Sequence, residues 1–212
     1  MLRITNLSVP LDYNDLTLRN LLIRKVGISA RQLMNVTIAR RSVDARDKGD
    51  VHFVMTIDFE VSDEKTVLQK NRQVSVTPDK VYFTPPVSRF TVPPVVVGAG
   101  PAGLFAALIL ARAGSHPILI ERGRPVDLRT ADVAGMSEKG VLDPDSNVQF
   151  GEGGAGAFSD GKLTCGIKSP YMKDVLKIFV DHGAPEEILF LQKPHIGTDK
   201  LKDTVASIRS EI

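Results

Sequence analysis

Val95-Val96-Val97-Gly98-Ala99-Gly100-Pro101-Ala102-Gly103 is the stretch on which the fold turns. Three β-branched residues run directly into a GxGxxG spacing. The valines fit a short buried strand, Pro101 to Ala113 fits a helix with Gly114 at its end, and Pro117-Ile118-Leu119-Ile120 fits a second buried strand. Strand, helix, strand with apolar strands predicts a parallel sheet joined by a right-handed crossover. Gly98 permits the tight turn, Gly100 lets a pyrophosphate approach the backbone, and Gly103 allows close packing of helix on strand. The helix N-terminus then offers free N–H groups and a favourable dipole to an anion. Glu121 lies 23 residues after Gly98, at the end of the second strand. Its carboxylate suits both hydroxyls of an adenosine ribose and repels a 2′-phosphate, so a dinucleotide site is expected and NADP is disfavoured in it.

The same stretch has a competing membrane reading. Pro93 to Ala111 is 19 residues without a charge, close to the roughly 20 that span a bilayer. Gly98, Gly100, Pro101 and Gly103 break it, and strand, turn and buried helix account for it better. No membrane partner is expected.

A second glycine-rich segment follows: Phe150-Gly151-Glu152-Gly153-Gly154-Ala155-Gly156-Ala157-Phe158-Ser159-Asp160-Gly161-Lys162-Leu163. A plain NAD domain does not need it. A flavin dinucleotide leaves a pyrophosphate and ribityl chain to be covered, which small residues allow and to which Ser159 can donate a hydroxyl. Phe150, Phe158 and Leu163 supply apolar anchors that a free surface loop would not need. FAD is therefore the expected cofactor.

These residues carry a family resemblance. VVVGAGPAGLFAALILARAG…ILIERG followed by GEGGAGAFSDGKL resembles the two-dinucleotide-binding flavoproteins related to glutathione reductase. More narrowly, with RRSVDAR…VHFVMTIDFEV and PHIGTDKL, nearly the whole chain resembles the bacterial uncharacterised FAD-dependent dehydrogenases that carry a ferredoxin-like N-terminal domain. The resemblance implies FAD, with Gly98, Gly100, Pro101, Ala102 and Gly103 at the pyrophosphate and Glu121 at the adenosine ribose. It implies Arg122 beside the adenine, and Gly153, Gly154, Ser159, Gly161 and Lys162 near the pyrophosphate or the ribityl–flavin end. It supplies no substrate.

Outward from the fingerprint, five of the 13 prolines fall between Pro78 and Pro94. Proline fixes φ and disfavours helix in the residue before it, so 81–94 is expected to be an extended linker. Residues 1–80 fit a small α+β module. Leu2 to Leu7 alternates as a strand. Asn14 or Asp15 can cap a helix with Leu18, Leu21, Leu22 and Val26 on one face and Gly27 as its stop. Val36 and Ile38 suggest a second strand. Phe53, Met55, Ile57, Phe59 and Val61 alternate as a half-buried third. A short helix around Asp63–Gln69 and a strand at Val74–Val76 complete a βαββαβ, ferredoxin-like order. Residues 95–212 are expected to be the first part of a Rossmann-like FAD-binding domain, with further helices over 171–183 and 199–212, the last capped by Thr198 or Asp199.

Other chemistry-bearing residues are sparse. Lys162 can stabilise an anionic reduced flavin ring or contact phosphate. Cys165 has no CxxC partner and fits a small buried residue better than a redox thiol. His195 sits in a loop and suits a local hydrogen bond better than acid–base work. His52, His116 and His182 show no ligand spacing, so no metal site is expected. Arg40, Arg41, Arg46 and Lys48 interleave with Asp44, Asp47 and Asp50, the pattern of a solvated hairpin edge rather than a nucleic-acid surface.

The chain has 212 residues, a net charge of +2, 25% charged residues and one cysteine. Those values exclude wholesale disorder and a disulfide framework. The lack of a basic-then-apolar leader points to a cytoplasmic protein. The expected function is that of an FAD-dependent oxidoreductase with an unidentified small-molecule donor or acceptor, and any NAD(P)H site would lie outside this chain. The alternative is an FAD-binding scaffold or sensor whose N-terminal module binds RNA or a protein. With two strands recognised in the parallel sheet, the chain is expected to be the N-terminal portion of a longer enzyme, inactive by itself.

Overall fold

The computed structural model describes residues 1–79, 81–159, 161–164, 166–167 and 169–212, and Cys165 lies outside them. The chain divides into two compact units, one of Met1–Val81 with Leu189–Gln192, the other of Tyr82–Ile188 with Lys193–Ile212.

The first unit runs β1 (Leu2–Val9), α1 (Asp15–Val26), β2 (Leu33–Asp44), β3 (His52–Val61), α2 (Glu64–Lys70), β4 (Val74–Val76). The sheet order is β2-β3-β1-β4, and every neighbouring pair is antiparallel. In β1 the buried residues are Leu2 and Ile4, then Leu7 and Val9. The alternation changes phase because the register shifts between Ile4 and Leu7, where Asn6 takes φ +56°. That bulge keeps apolar side chains on the core face on both sides of it. The Asn14 side chain accepts the Thr17 N–H at 2.8 Å, and Gly27 closes α1 at φ +73°. Leu18, Leu22 and Val26 of α1 pack with Met55, Ile57, Phe59 and Val61 of β3.

On the opposite face of β3, Asp58 is 1% exposed. Arg3 donates Nε–H and an Nη2 hydrogen to its two carboxylate oxygens at 2.6 and 2.8 Å. Leu189–Gln192 extends this unit along β2. The Arg41 N–H donates to Phe190 O at 2.8 Å, and the Gln192 N–H donates to Arg41 O at 3.1 Å. The Arg41 guanidinium lies 5.1 Å from the Phe53 ring centre and 5.4 Å from that of Phe190. The basic edge is committed elsewhere too: Arg46 pairs with Asp44 at 2.6 Å, and an Arg41 Nη1 hydrogen goes to the Tyr13 hydroxyl at 3.0 Å.

In the second unit, β5 (Val95–Val97) and β6 (Ile118–Ile120) pair in parallel, Val95 with Ile118 through Val97 with Ile120, around the crossover helix α3 (Pro101–Arg112). Val96 and Leu119 face the core, whereas Val97 on the other face is 81% exposed. Among the described residues three further α-helices follow, α4 (Val126–Lys139), α5 (Met172–Asp181) and α6 (Thr198–Glu211). Leu104, Leu108, Val126, Ile178, Ile188 and Ile208 form the core, and Phe105 meets Phe179 edge to face at 5.3 Å.

The segment 82–94 groups with this second unit. The Phe83 N–H donates to Asp174 at 2.6 Å, and the Ser88 N–H to Ala113 O at 3.0 Å. Neither Thr198 nor Asp199 caps α6, because Gly197 occupies that position without a side-chain bond. Among the described residues no helix is long and apolar enough to cross a membrane.

Candidate functional site

The first glycine turn has the geometry its spacing predicts. Gly98 takes φ +97°, which L side chains rarely adopt. A Cβ on Gly103 would sit 1.8 Å from Gly98 O, so α3 approaches the turn as closely as a backbone can. Gly100 is extended before α3, with φ −68° and ψ 178°, and open space surrounds its Cβ position. Pro101 and Ala102 then open the helix with their side chains exposed.

Glu121 is placed at the end of β6 by the parallel pairing, opposite the turn. One carboxylate oxygen accepts the Ala99 N–H at 2.6 Å, and the other accepts the Gly123 N–H at 2.8 Å. The carboxylate thus ties the two loops that leave β5 and β6. Each oxygen retains a second lone-pair direction for a hydroxyl.

The second glycine segment joins the first through its backbone. The Gly153 N–H donates to Ala99 O at 2.8 Å, and a Cβ on Gly154 would lie 3.0 Å from Pro101 Cδ. Gly151, Gly153 and Gly154 all have positive φ, at 111°, 79° and 63°. Together the two segments and the β6 end line a cleft of about 370 Å³. It includes Gly98, Gly100, Glu121, Arg122, Phe150 and Gly154. The Arg122 guanidinium lies 4.7 Å from the Phe150 ring centre and 3.6 Å from Asp145.

The rest of the predicted set lies further along the chain. The Ser159 hydroxyl is exposed, donates to Gly156 O at 3.1 Å and accepts the Gly161 N–H at 3.4 Å. Lys162 forms an isolated antiparallel bridge with His195, fixed by Leu163 N–H to Pro194 O at 2.9 Å and Ile196 N–H to Gly161 O at 3.0 Å. Two residues singled out separately in the sequence are thereby backbone neighbours.

Sequence reasoning missed Arg129 and Glu152. Arg129, on α4, is 0% exposed and donates to four main-chain carbonyls, those of Asn147, Val148, Glu152 and Gly154, at 2.6 to 3.0 Å. Burial pushes its pKa down, opposed by the charges of Glu121 and Glu152. The Glu152 carboxylate is buried and accepts the Val126 N–H at the start of α4 at 2.7 Å as well as an Arg209 hydrogen from α6. An arginine in a mixed helix ordinarily points to water, so no sequence signal separated Arg129 from a surface residue.

Comparison with known proteins bears on both units. Residues 1–60 match a domain of unknown function (DUF8436). An "Uncharacterized protein" of Clostridium beijerinckii is 41% identical over 215 residues, a match that takes in 100% of this chain and 40% of the relative. The chain therefore spans about 40% of the length of that relative. Residues 91–131 match an FAD binding domain, and that stretch holds the first glycine turn, α3, β6, Glu121 and Arg129.

Proposed function

We propose that the second unit is the dinucleotide-binding part of an FAD-dependent oxidoreductase. The joining of the two glycine segments by the Gly153 N–H and Ala99 O carries this reading, because it builds one glycine-rich cradle from loops about fifty residues apart. The match of residues 91–131 to an FAD binding domain supports it. The residues fit the group: the cleft is lined by glycine backbone, a helix N-terminus and a carboxylate with lone pairs to spare.

Gly98, Gly100, Pro101, Ala102 and Gly103 would hold the pyrophosphate and Glu121 the adenosine ribose, with Arg122 at the adenine. Gly153 and Gly154 would cover the phosphates, with Ser159, Gly161 and Lys162 toward the ribityl–flavin end. Bound flavin supplies reversible electron transfer. The protein's part is to bind it, orient it and exclude water. The donor and acceptor are small molecules, with NAD(P)H as the candidate reductant.

The N-terminal unit is read as a ferredoxin-like module, supported by its βαββαβ order and the antiparallel strand order β2-β3-β1-β4. The cytoplasmic setting and the place of this chain within a longer enzyme belong to the same proposal.

The direct test is flavin binding. Purified full-length protein containing this chain, reconstituted with FAD and desalted, should retain a yellow chromophore with quenched flavin fluorescence. Protein that stays colourless under saturating FAD would overturn the reading.

A further inference from the structure

Arg129 is a cation placed where a loop would otherwise fall apart. Four carbonyl oxygens from residues 147, 148, 152 and 154 converge on one point. Converging carbonyl dipoles repel one another, and a buried acceptor without a donor is costly. A guanidinium offers five donors in a planar fork, enough for all four at once. The Phe158 ring lies 4.8 Å from its carbon and covers one face. Gly151 leaves room for the stem, since a Cβ there would stand 2.7 Å from Arg129 Cδ.

The loop held in this way is the one that meets the first glycine turn. Peptide planarity sends each N–H opposite to the carbonyl before it. Drawing the Glu152 carbonyl to Arg129 therefore directs the Gly153 N–H away from it, and that N–H reaches Ala99 O. Drawing the Gly154 carbonyl inward likewise turns its lone pairs from the cleft that Gly154 lines. An anion in the cleft then faces a buried positive charge rather than the Gly154 carbonyl oxygen.

We propose that Arg129 is the positioning residue of the pyrophosphate site, acting through the backbone of residues 147–154 without touching the ligand. The inference rests on the FAD reading and deepens it.

The test separates phosphate recognition from general stability. In the full-length protein containing this chain, FAD, ADP and adenosine are titrated against the wild type, Arg129→Lys and Arg129→Met below the melting temperature of each. Lysine keeps the charge but, as a point donor on a flexible stem, cannot span four carbonyls. Both variants should therefore bind FAD and ADP about tenfold or more weaker, while adenosine affinity stays within about twofold. A purely structural role would weaken all three ligands together.

If both Arg129 variants precipitate, Phe158→Leu uncovers the guanidinium face while leaving its hydrogen bonds. It should weaken ADP about threefold and leave adenosine unchanged. Unchanged ADP affinity in the soluble variants, or equal losses for ADP and adenosine, overturns the positioning role and leaves the FAD reading standing. Wild-type protein that binds neither FAD nor ADP overturns the FAD reading, and the role of Arg129 falls with it.

Discussion

The Ala99 carbonyl accepts the Gly153 N–H at 2.8 Å, so the turn after β5 and the glycine segment after α4 are one hydrogen-bonded structure. Each strand of this cradle has glycines, but for different reasons, and substitutions will separate them. A Cβ on Gly103 would stand 1.8 Å from Gly98 O, and backbone must move to admit it. Gly103→Ala should lower the stability of the second unit by about 1–3 kcal/mol through overpacking. Gly100 has φ −68° and free space around its Cβ position. Gly100→Ala should leave the urea midpoint unchanged or slightly raised, yet weaken FAD binding by placing a methyl in the cleft. Parallel urea melts and FAD titrations of the two variants check the contrast.

Glu121 uses its two carboxylate oxygens on the Ala99 and Gly123 N–H groups at 2.6 and 2.8 Å. A glutamine keeps one acceptor and turns an NH₂ toward the other N–H. A stranded donor costs about 1–3 kcal/mol. Glu121→Gln should accelerate hydrogen exchange at one or both of these amides by about tenfold or more, and weaken FAD binding in step.

Arg3 and Asp58 form a nearly buried pair in the first unit, at 2.6 and 2.8 Å. Removing one partner strands the other's charge. Arg3→Met should destabilise the first unit by about 3–5 kcal/mol, whereas Arg3→Met with Asp58→Leu should recover much of that loss. FAD binding should be unaffected in both. Chemical denaturation followed by probes in each unit measures the split.

Glu211 joins the ends of α3 and α6. Arg112 donates to its two carboxylate oxygens at 2.6 and 2.9 Å, and His182 Nε2 lies 3.0 Å away. The Arg112 guanidinium, and to a lesser degree His182, holds the Glu211 pKa below the usual glutamate value. A depressed folded-state pKa gives stability that is complete above the ordinary glutamate range and is lost as pH falls through the folded value. The wild type should therefore be more stable than Glu211→Gln at pH 6, with the gap closing on acidification below the glutamate range. Urea midpoints of both proteins across that range provide the measurement.

Local patterns made much of the fold legible. Asn14 and Gly27 bracket α1 because a side-chain acceptor and a left-handed glycine are local requirements. The alternation of Met55, Ile57, Phe59 and Val61 identified β3 because one buried sheet face imposes a period of two. In β1 the same alternation breaks at Asn6, and the phase change emerges only with the pairing to β3. Helix α4 escaped notice because Val126–Lys139 mixes apolar and charged residues without one clean face.

In the site, the spacing of Gly98, Gly100 and Gly103 located the turn, and the parallel pairing of β5 with β6 placed Glu121 beside it. The carboxylate's bonds to backbone amides were not readable, since they depend on how two loops meet. Arg129 was invisible for the same reason: its partners are carbonyls 18 to 25 residues away. Only the folded loop distinguishes it from an ordinary surface arginine.

The open face of the β5–β6 ribbon has a consequence for handling the protein. Val95, Val97, Ile118 and Ile120 are 55%, 81%, 49% and 49% exposed and fall on one side by the strand register. Four aliphatic side chains in contact with water form an adhesive patch on this chain. An environment-sensitive hydrophobic dye should brighten on the folded protein without denaturant. Replacing Val97 and Ile120 by threonine should darken it, and should raise the concentration at which the protein stays clear.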